Sequence, residues 1–340
     1  MNYDQFRNIS CYEEFEMLCT LTSISKIDIL KEIGRKIDHY YFFISKDGVF
    51  NWFDLKGNHI KDPGVLKELK EAHVSKNITK CIIPDSVTHI DIYAFSYCKS
   101  LTSITIPDSV ISINEGTFWA CESLKEITMH DNILSIGPRT FYHCKSLISI
   151  NIPNGVTSIG NGSFYECKSL TSVNMSNNVT HIGVSAFKGC ESLTSINIPD
   201  NITFISNSAF NGCKSLKSIN IPDNITMIMD NTFYKCKSLK EITMSDKVIY
   251  LMSGAFSYCD SLMSITIPDT VAHIDYGVFY KCKSLTSITI PDNITDIGVD
   301  VFYGCESLKA VIFKGKTLDD VKQMQNYPFG IEDESIFKFS

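Results

Sequence analysis

The chain has 340 residues, 44% of them hydrophobic and 20% charged, with a formal net charge of -7. That balance is ordinary for a folded protein and argues against a nucleic-acid backbone as partner, because phosphates select for clustered positive charge. The first residues lack a basic start followed by an unbroken apolar run, and no stretch approaches the roughly 18 to 20 apolar residues of a membrane span, so neither a secretory signal nor membrane insertion is expected.

Residues 1-75 predict an N-terminal α+β segment or cap. Its first half is helix-like, and Tyr40 to Ser45 and Val49 to Leu55 then flank Lys46-Asp47-Gly48, a hairpin signal. Residues 76-314 are governed by a repeat. Cysteines 98, 121, 144, 167, 190, 213, 236, 259, 282 and 305 are each 23 residues apart, as are the phenylalanines from Phe95 to Phe302. A degenerate strand at Ile78, Cys81 and Ile83 adds an eleventh coil on the N-terminal side.

Within a coil, Leu101-x-x-Ile104-x-Ile106 alternates as a short strand does, apolar side chains inward and Thr102, Ser103 and Thr105 outward. Pro107 removes a ladder donor and ends the strand, Val110 and Ile113 begin a second extended stretch, and the Phe118 region turns to close the coil. Successive coils should pair in parallel at about 4.8 Å, giving a right-handed, curved, β-rich superhelix of 23-residue coils. One coil cannot fold alone. Its buried side chains yield about 1.5 to 3 kcal/mol each, while fixing each backbone residue costs about 1 to 2 kcal/mol, so stability must come from stacked neighbours.

The recurring motif A/T-F-x-x-C-x-S-L-x-S-I-x-I-P-D-x-V-T-x-I, seen from Phe95 through Ile113, resembles the BspA-type leucine-rich repeat, and the likeness runs over roughly residues 77 to 313. The resemblance implies a leucine-rich-repeat solenoid and a place among bacterial, protozoan and large-virus proteins, many of them surface adhesins. In one departure from ordinary leucine-rich repeats, the residue after Asn201 or Asn224 is already apolar, so their buried asparagine ladder is not expected in its usual form. Residues 315-340 read as a C-terminal cap, with Thr317 opening a short helix that runs to about Gln325.

Uniform spacing of 23 gives the cysteines no zinc-ligand pattern, and parallel neighbours at about 4.8 Å exceed the usual disulfide Cβ separation of about 3.8 Å. Buried free thiols packing as small apolar groups are expected, which favours the cytoplasm or another reducing compartment, with surface or virion association kept open. His89, His181 and His273 share a column, but four coils at about 4.8 Å put them too far apart for one metal, and they read as exposed turn residues. Asn77, Asn178, Asn201, Asn224 and Asn293 each begin Asn-Ile/Val-Thr. They read as turn formers that would be glycan acceptors only if the chain were exported. Charges after each cysteine, from Lys99 to Glu306, mostly alternate in sign and read as a solvated edge.

Two sets of outward residues remain as candidate binding surfaces. Thr105, Thr128, Asn151 and Asn174 begin a Thr/Asn column along the outer face of the first strand, and this is also the simplest soluble covering of a sheet. The position after each phenylalanine holds Trp119, Tyr142, Tyr165, Tyr234, Tyr280 and Tyr303, with Lys188 and Asn211 breaking the row. Because phenylalanine takes the core contact, these rings should turn outward as a rim suited to anchoring a partner, or else stack only on each other to seal the coil edge. No nucleotide, metalloprotease or serine-hydrolase motif occurs. The expected function is a non-enzymatic protein-interaction scaffold without cofactor. Its alternative is a surface or virion adhesin for host glycan or matrix protein.

Overall fold

The computed structural model describes residues 92–340 continuously. Before them it describes residues 83 and 87–90 and the strands Arg35–Ile37, Tyr40–Ile44, Phe50–Asp54, Val74–Ser75, Asn77–Ile78 and Lys80–Ile82. The chain forms a parallel β-solenoid of 23-residue coils, with almost no helix among the described residues.

A coil has three edges that face its neighbours, hydrogen-bonded along most of the stack, though no first-edge strand forms at residues 193–198 or 262–267. On the first, Lys80–Ile82, Ser103–Thr105 and Glu126–Thr128 pair in parallel, with Ile104 opposite both Cys81 and Ile127. Ser149–Asn151 with Ser172–Asn174 and Ser218–Asn220 with Glu241–Thr243 repeat that register. Period-two alternation puts Leu101, Ile104 and Ile106 in the core and leaves Thr105 exposed. A turn at the proline follows, the amide of Val110 donating to the Pro107 carbonyl at 3.0 Å. Two-residue strands make the second edge: Ser158–Ile159, His181–Ile182 and Phe204–Ile205 pair in parallel, as do Met227–Ile228, Tyr250–Leu251, His273–Ile274 and Asp296–Ile297.

The third edge is the turn around the phenylalanine, and it is laddered as well. The amide of Phe118 donates to the Thr140 carbonyl at 2.8 Å, and Phe141 to Ser163 and Phe164 to Ala186 do the same at 2.8 Å. Inside it, the phenylalanine rings from Phe95 to Phe302 stack face to face, coil on coil, at 5.1 to 6.0 Å. Equal spacing of the coils makes this a continuous column, so each ring is sandwiched between two others.

The cysteines do more than the small apolar filler expected of them. Each thiol from Cys121 to Cys305 donates to a phenylalanine carbonyl 26 residues earlier at 3.0 to 3.3 Å, as from Cys144 to Phe118 and from Cys190 to Phe164. The turn leaves those carbonyls pointing into the core, where a second acceptor site would otherwise go unused. The repeat cysteines from Cys144 to Cys305 are free thiols, buried at every position except Cys305. Asparagines also ladder, but on the surface: the amides of Asn178, Asn201, Asn224 and Asn293 donate to carbonyls 24 residues earlier at 2.7 to 2.9 Å. They are cross-coil ties as well as turn formers.

The shared histidine column also differs from expectation. His89, His181 and His273 lie in the second-edge strands His89–Ile90, His181–Ile182 and His273–Ile274, because the Val-Thr-x-Ile stretch pairs across coils and is not a turn. His273 stacks on Tyr250 at 4.9 Å.

At the C-terminal end, the helix spans Leu318–Lys322, shorter than the run to Gln325 expected from sequence, with Thr317 and Asp320 forming a reciprocal capping box. The chain then returns, and Phe337–Phe339 pairs in parallel with Ala310–Phe313, so the first edge ends on an added strand beyond the last repeat. In the N-terminal segment Tyr40–Ile44 and Phe50–Asp54 pair antiparallel, as the hairpin signal requires. The helix-like stretch before them lies outside the described residues. Among the described residues no helix is long and apolar enough to cross a membrane.

Candidate binding surface

The two sets of outward residues fall in different segments of each coil. Thr105, Thr128, Asn151 and Asn174 are exposed on first-edge strands. The aromatic set follows the core phenylalanine on the third edge, and the charged column lies between the two in sequence. In that column Lys145 and Lys214 reach Glu122 and Glu191 at 3.1 Å, which ties adjacent and alternate charges together across coils. These pairs are exposed and add little to stability.

The aromatic set divides into two clusters. Trp119, Tyr142 and Tyr165 form an unbroken stack, with ring centroids 4.5 Å apart at each step and the two tyrosines nearly parallel at 6°. All three rings are half-buried. Lys188, which interrupts the aromatic row, sets its ammonium over the Tyr165 ring at 5.6 Å, and the Arg139 guanidinium sits 5.9 Å from the Trp119 ring while pairing with Glu115 at 2.9 Å. Both ends of the stack therefore carry a cation. Burial, and then the neighbouring Tyr165 hydroxyl, raises the Tyr142 phenol above its ordinary pKa.

Tyr234, Tyr280 and Tyr303 belong to the second cluster, in which the row breaks at Ser257. Tyr280 stacks on Tyr303 at 5.2 Å, and Tyr303 is 44% exposed. Tyr258, one residue after the break, meets Tyr234 at 5.4 Å and Tyr280 at 5.6 Å. The missing ring leaves a cleft of about 390 Å³ walled by Tyr234, Tyr258, Tyr276 and Tyr280 and floored by Gly254, with Asn231, Ser253 and Ser257 completing it. The ammoniums of Lys235 and Lys281 lie 5.7 and 5.5 Å from the Tyr258 ring centroid. The hydroxyls of Tyr258 and Tyr280 hold the Lys281 ammonium above its ordinary pKa.

Sequence reasoning placed Tyr234 and Tyr280 in the aromatic row but missed Tyr258, Tyr276, Lys235 and Lys281. Lys235, Tyr258 and Lys281 share a column with Tyr97, Ala120, His143, Glu166, Gly189, Gly212 and Gly304, and every one of these residues has a positive φ. Its variety was the available signal, since a coil that tolerates almost any residue at a position leaves that position free for another use. Among the described residues no group of three or more histidine, cysteine or acidic side chains could hold a metal ion.

The model of the BspA type Leucine rich repeat region, built of 6 copies, matches residues 70–194 and 180–309. The chain belongs to the BspA-type leucine-rich repeat family. That family is a repeat scaffold type, not an enzyme class. Among solved structures, this BspA-type chain is similar to the leucine-rich repeat protein of T. pallidum, at 32% identity over 47% of this chain and 78% of that one, TM-score 0.44. It is similar also to a leucine-rich cell surface protein of Faecalibacterium prausnitzii, at 27% identity over 83% and 89% of the two chains, TM-score 0.45. The pneumococcal vaccine antigen PcpA matches at 17% identity over 90% and 93%, TM-score 0.45. No curated protein matches the chain.

Proposed function

We propose that this BspA-type chain is a non-enzymatic scaffold that holds a protein partner on its third edge, anchored by Trp119, Tyr142 and Tyr165. The supporting observation is the stack itself. Three large rings are stacked at 4.5 Å per step, the two tyrosines nearly parallel, and all three are half-buried, so the part of the row that a partner meets is already ordered. Preorganised Tyr and Trp lose little side-chain entropy on binding, and such residues dominate interface energetics. The Thr/Asn face offers hydrogen-bonding groups but no comparable anchor.

Affinity capture from the native source tests this with three baits: the intact chain, a Tyr142→Ala/Tyr165→Ala variant, and a Thr243→Ala/Thr266→Ala variant. Loss of the retained protein from the tyrosine variant alone is the expected result. Loss from the threonine variant alone, with both variants folded, would move the site to the first edge.

A second reading, an adhesin at a cell or virion surface that recognises host glycan, draws on the tyrosine-walled cleft around Ser257. The free buried thiols favour a reducing compartment instead. A glycan mass shift on native protein at Asn178, Asn201, Asn224 or Asn293 would favour export and this second reading.

A further inference from the structure

We infer that the cleft at the Ser257 break is a binding subsite for a saccharide carrying a carboxylate, its ring held between tyrosines and its charge met by Lys235 and Lys281. This rests on the reading of the third edge as a binding surface, but it concerns a different cluster from Trp119, Tyr142 and Tyr165.

Four observations carry it. The first is that the cavity is built by omission. Aromatic side chains occupy this column at Tyr234 and Tyr280 on either side, and at Ser257 the ring is replaced by a small residue whose hydroxyl turns away to donate to the Gly277 carbonyl. The second is that glycine keeps the floor low. Gly254 has a φ of 63°, and a Cβ there would lie 2.6 Å from Asn231 Oδ1.

The third is the chemistry of the lining. It consists of tyrosine rings with Asn231 and Ser253, and no aliphatic side chain contributes. An apolar peptide side chain would desolvate those polar groups without pairing them. A pyranose suits both features, because its C–H face packs on aromatic rings, whose faces carry negative charge, while its hydroxyls reach amide and phenol groups. The fourth is charge. The Lys235 and Lys281 ammoniums bracket Tyr258, and neither forms an ion pair among the described residues. The Asp275 carboxylate accepts from the Ser253 hydroxyl at 2.8 Å and the Tyr276 amide at 2.7 Å and forms no ion pair with either lysine. The lysines do not line the cleft but lie over the tyrosines at its rim, Lys235 5.0 Å from the Tyr234 centroid and Lys281 5.2 Å from that of Tyr280, where a carboxylate projecting from a bound sugar would meet a cation that has no ion-pair partner among the described residues.

Calorimetric titration of the full chain with sialyllactose, with a hyaluronan tetrasaccharide and with lactose tests the inference. Sialyllactose carries its acid at a glycan terminus, and hyaluronan carries it along a polymer. At least one acidic probe should bind, and lactose should bind at least about tenfold more weakly, as expected when a charge-assisted hydrogen bond is lost. Whichever acidic probe binds identifies the source. Ser257→Tyr, which restores the ring present elsewhere in the row, should abolish binding with the melting transition intact. Lys235→Met/Lys281→Met should weaken it about tenfold or more. Equal binding of lactose, binding by neither acid, or acid binding unchanged in folded Ser257→Tyr would each overturn the inference. Capture of a partner that still depends on Tyr142 and Tyr165 would then show that this subsite alone had failed.

Discussion

At the scale of single residues, the cysteine column was read from sequence as small apolar packing, whereas the structure gives the thiol a second role as donor to a core carbonyl. Spacing alone could not reveal this, because the bond depends on the turn that follows the phenylalanine, which passes through a left-handed residue two positions later, as at His143 after Phe141 and Lys235 after Phe233. Cys213 separates the two roles. If the hydrogen bond matters, Cys213→Ser keeps a donor and costs no more than Cys213→Ala, each costing about 1 to 3 kcal/mol in urea unfolding. A serine variant clearly less stable than the alanine variant would reduce the thiol to filler. Burial also raises the thiol pKa from Cys144 to Cys282, and that of Cys305 to about 12. Unfolded thiols ionise near the ordinary 9.0 while folded ones keep their protons, so the unfolded state binds fewer protons above that pH. Their stabilisation is therefore fully present below pH 9 and is lost progressively as the pH rises through the raised folded values. Urea midpoints should fall as the pH rises above about 9, and less steeply when Cys190, Cys213 and Cys236 are all alanine. An identical slope in that variant would exclude the thiols as the cause.

At the scale of elements, the first-edge strand was fully legible, because Leu101, Ile104 and Ile106 alternate and Pro107 marks the end. The second edge was half legible: Val110 and Ile113 announced an extended stretch, but two-residue strands pair only when neighbouring coils supply the partners, so the histidines on them were taken for turn residues. The third edge was least legible. Nothing in Phe118-Trp119-Ala120-Cys121 signals a left-handed residue at Ala120, where the turn is closed by the Cys121 amide on the Phe118 carbonyl and tied to the next coil by the Ala120 amide on the Tyr142 carbonyl. The final strand Phe337–Phe339 was missed because its partner, Ala310–Phe313, is brought beside it by the capping segment and not by the repeat. The phenylalanine column gives this scale its test. Phe210 is fully buried between Phe187 and Phe233, so Phe210→Ala should cost about 3 to 5 kcal/mol. Amide hydrogen exchange should accelerate in the flanking coils as well as in the mutated one, because each coil is stabilised mainly by its neighbours. Acceleration confined to the mutated coil would contradict that dependence.

At the scale of the whole molecule, the solenoid is a one-dimensional lattice in which a column is either needed for packing or free to vary. Phenylalanine, cysteine and leucine columns are invariant along the stack. The position after phenylalanine and the left-handed position beyond it are not, and those two columns supply the stack and most of the rings of the cleft, which Tyr276 and the residues just before phenylalanine complete. This explains why the aromatic row could be seen in the sequence while its division into a closed stack and an open cleft could not: rings one coil apart meet only if no coil between them lacks one. The central claim is that a partner seats on the Trp119 stack. The chain has two tryptophans, and Trp52→Phe leaves Trp119 as the only one, within the proposed anchor. Titrating this variant with the captured partner while following tryptophan emission tests the claim most directly. A saturable shift in emission, with the same midpoint as binding measured by calorimetry and lost along with binding in Tyr142→Ala/Tyr165→Ala, is the predicted result. Calorimetric binding with Trp119 emission unchanged would contradict it.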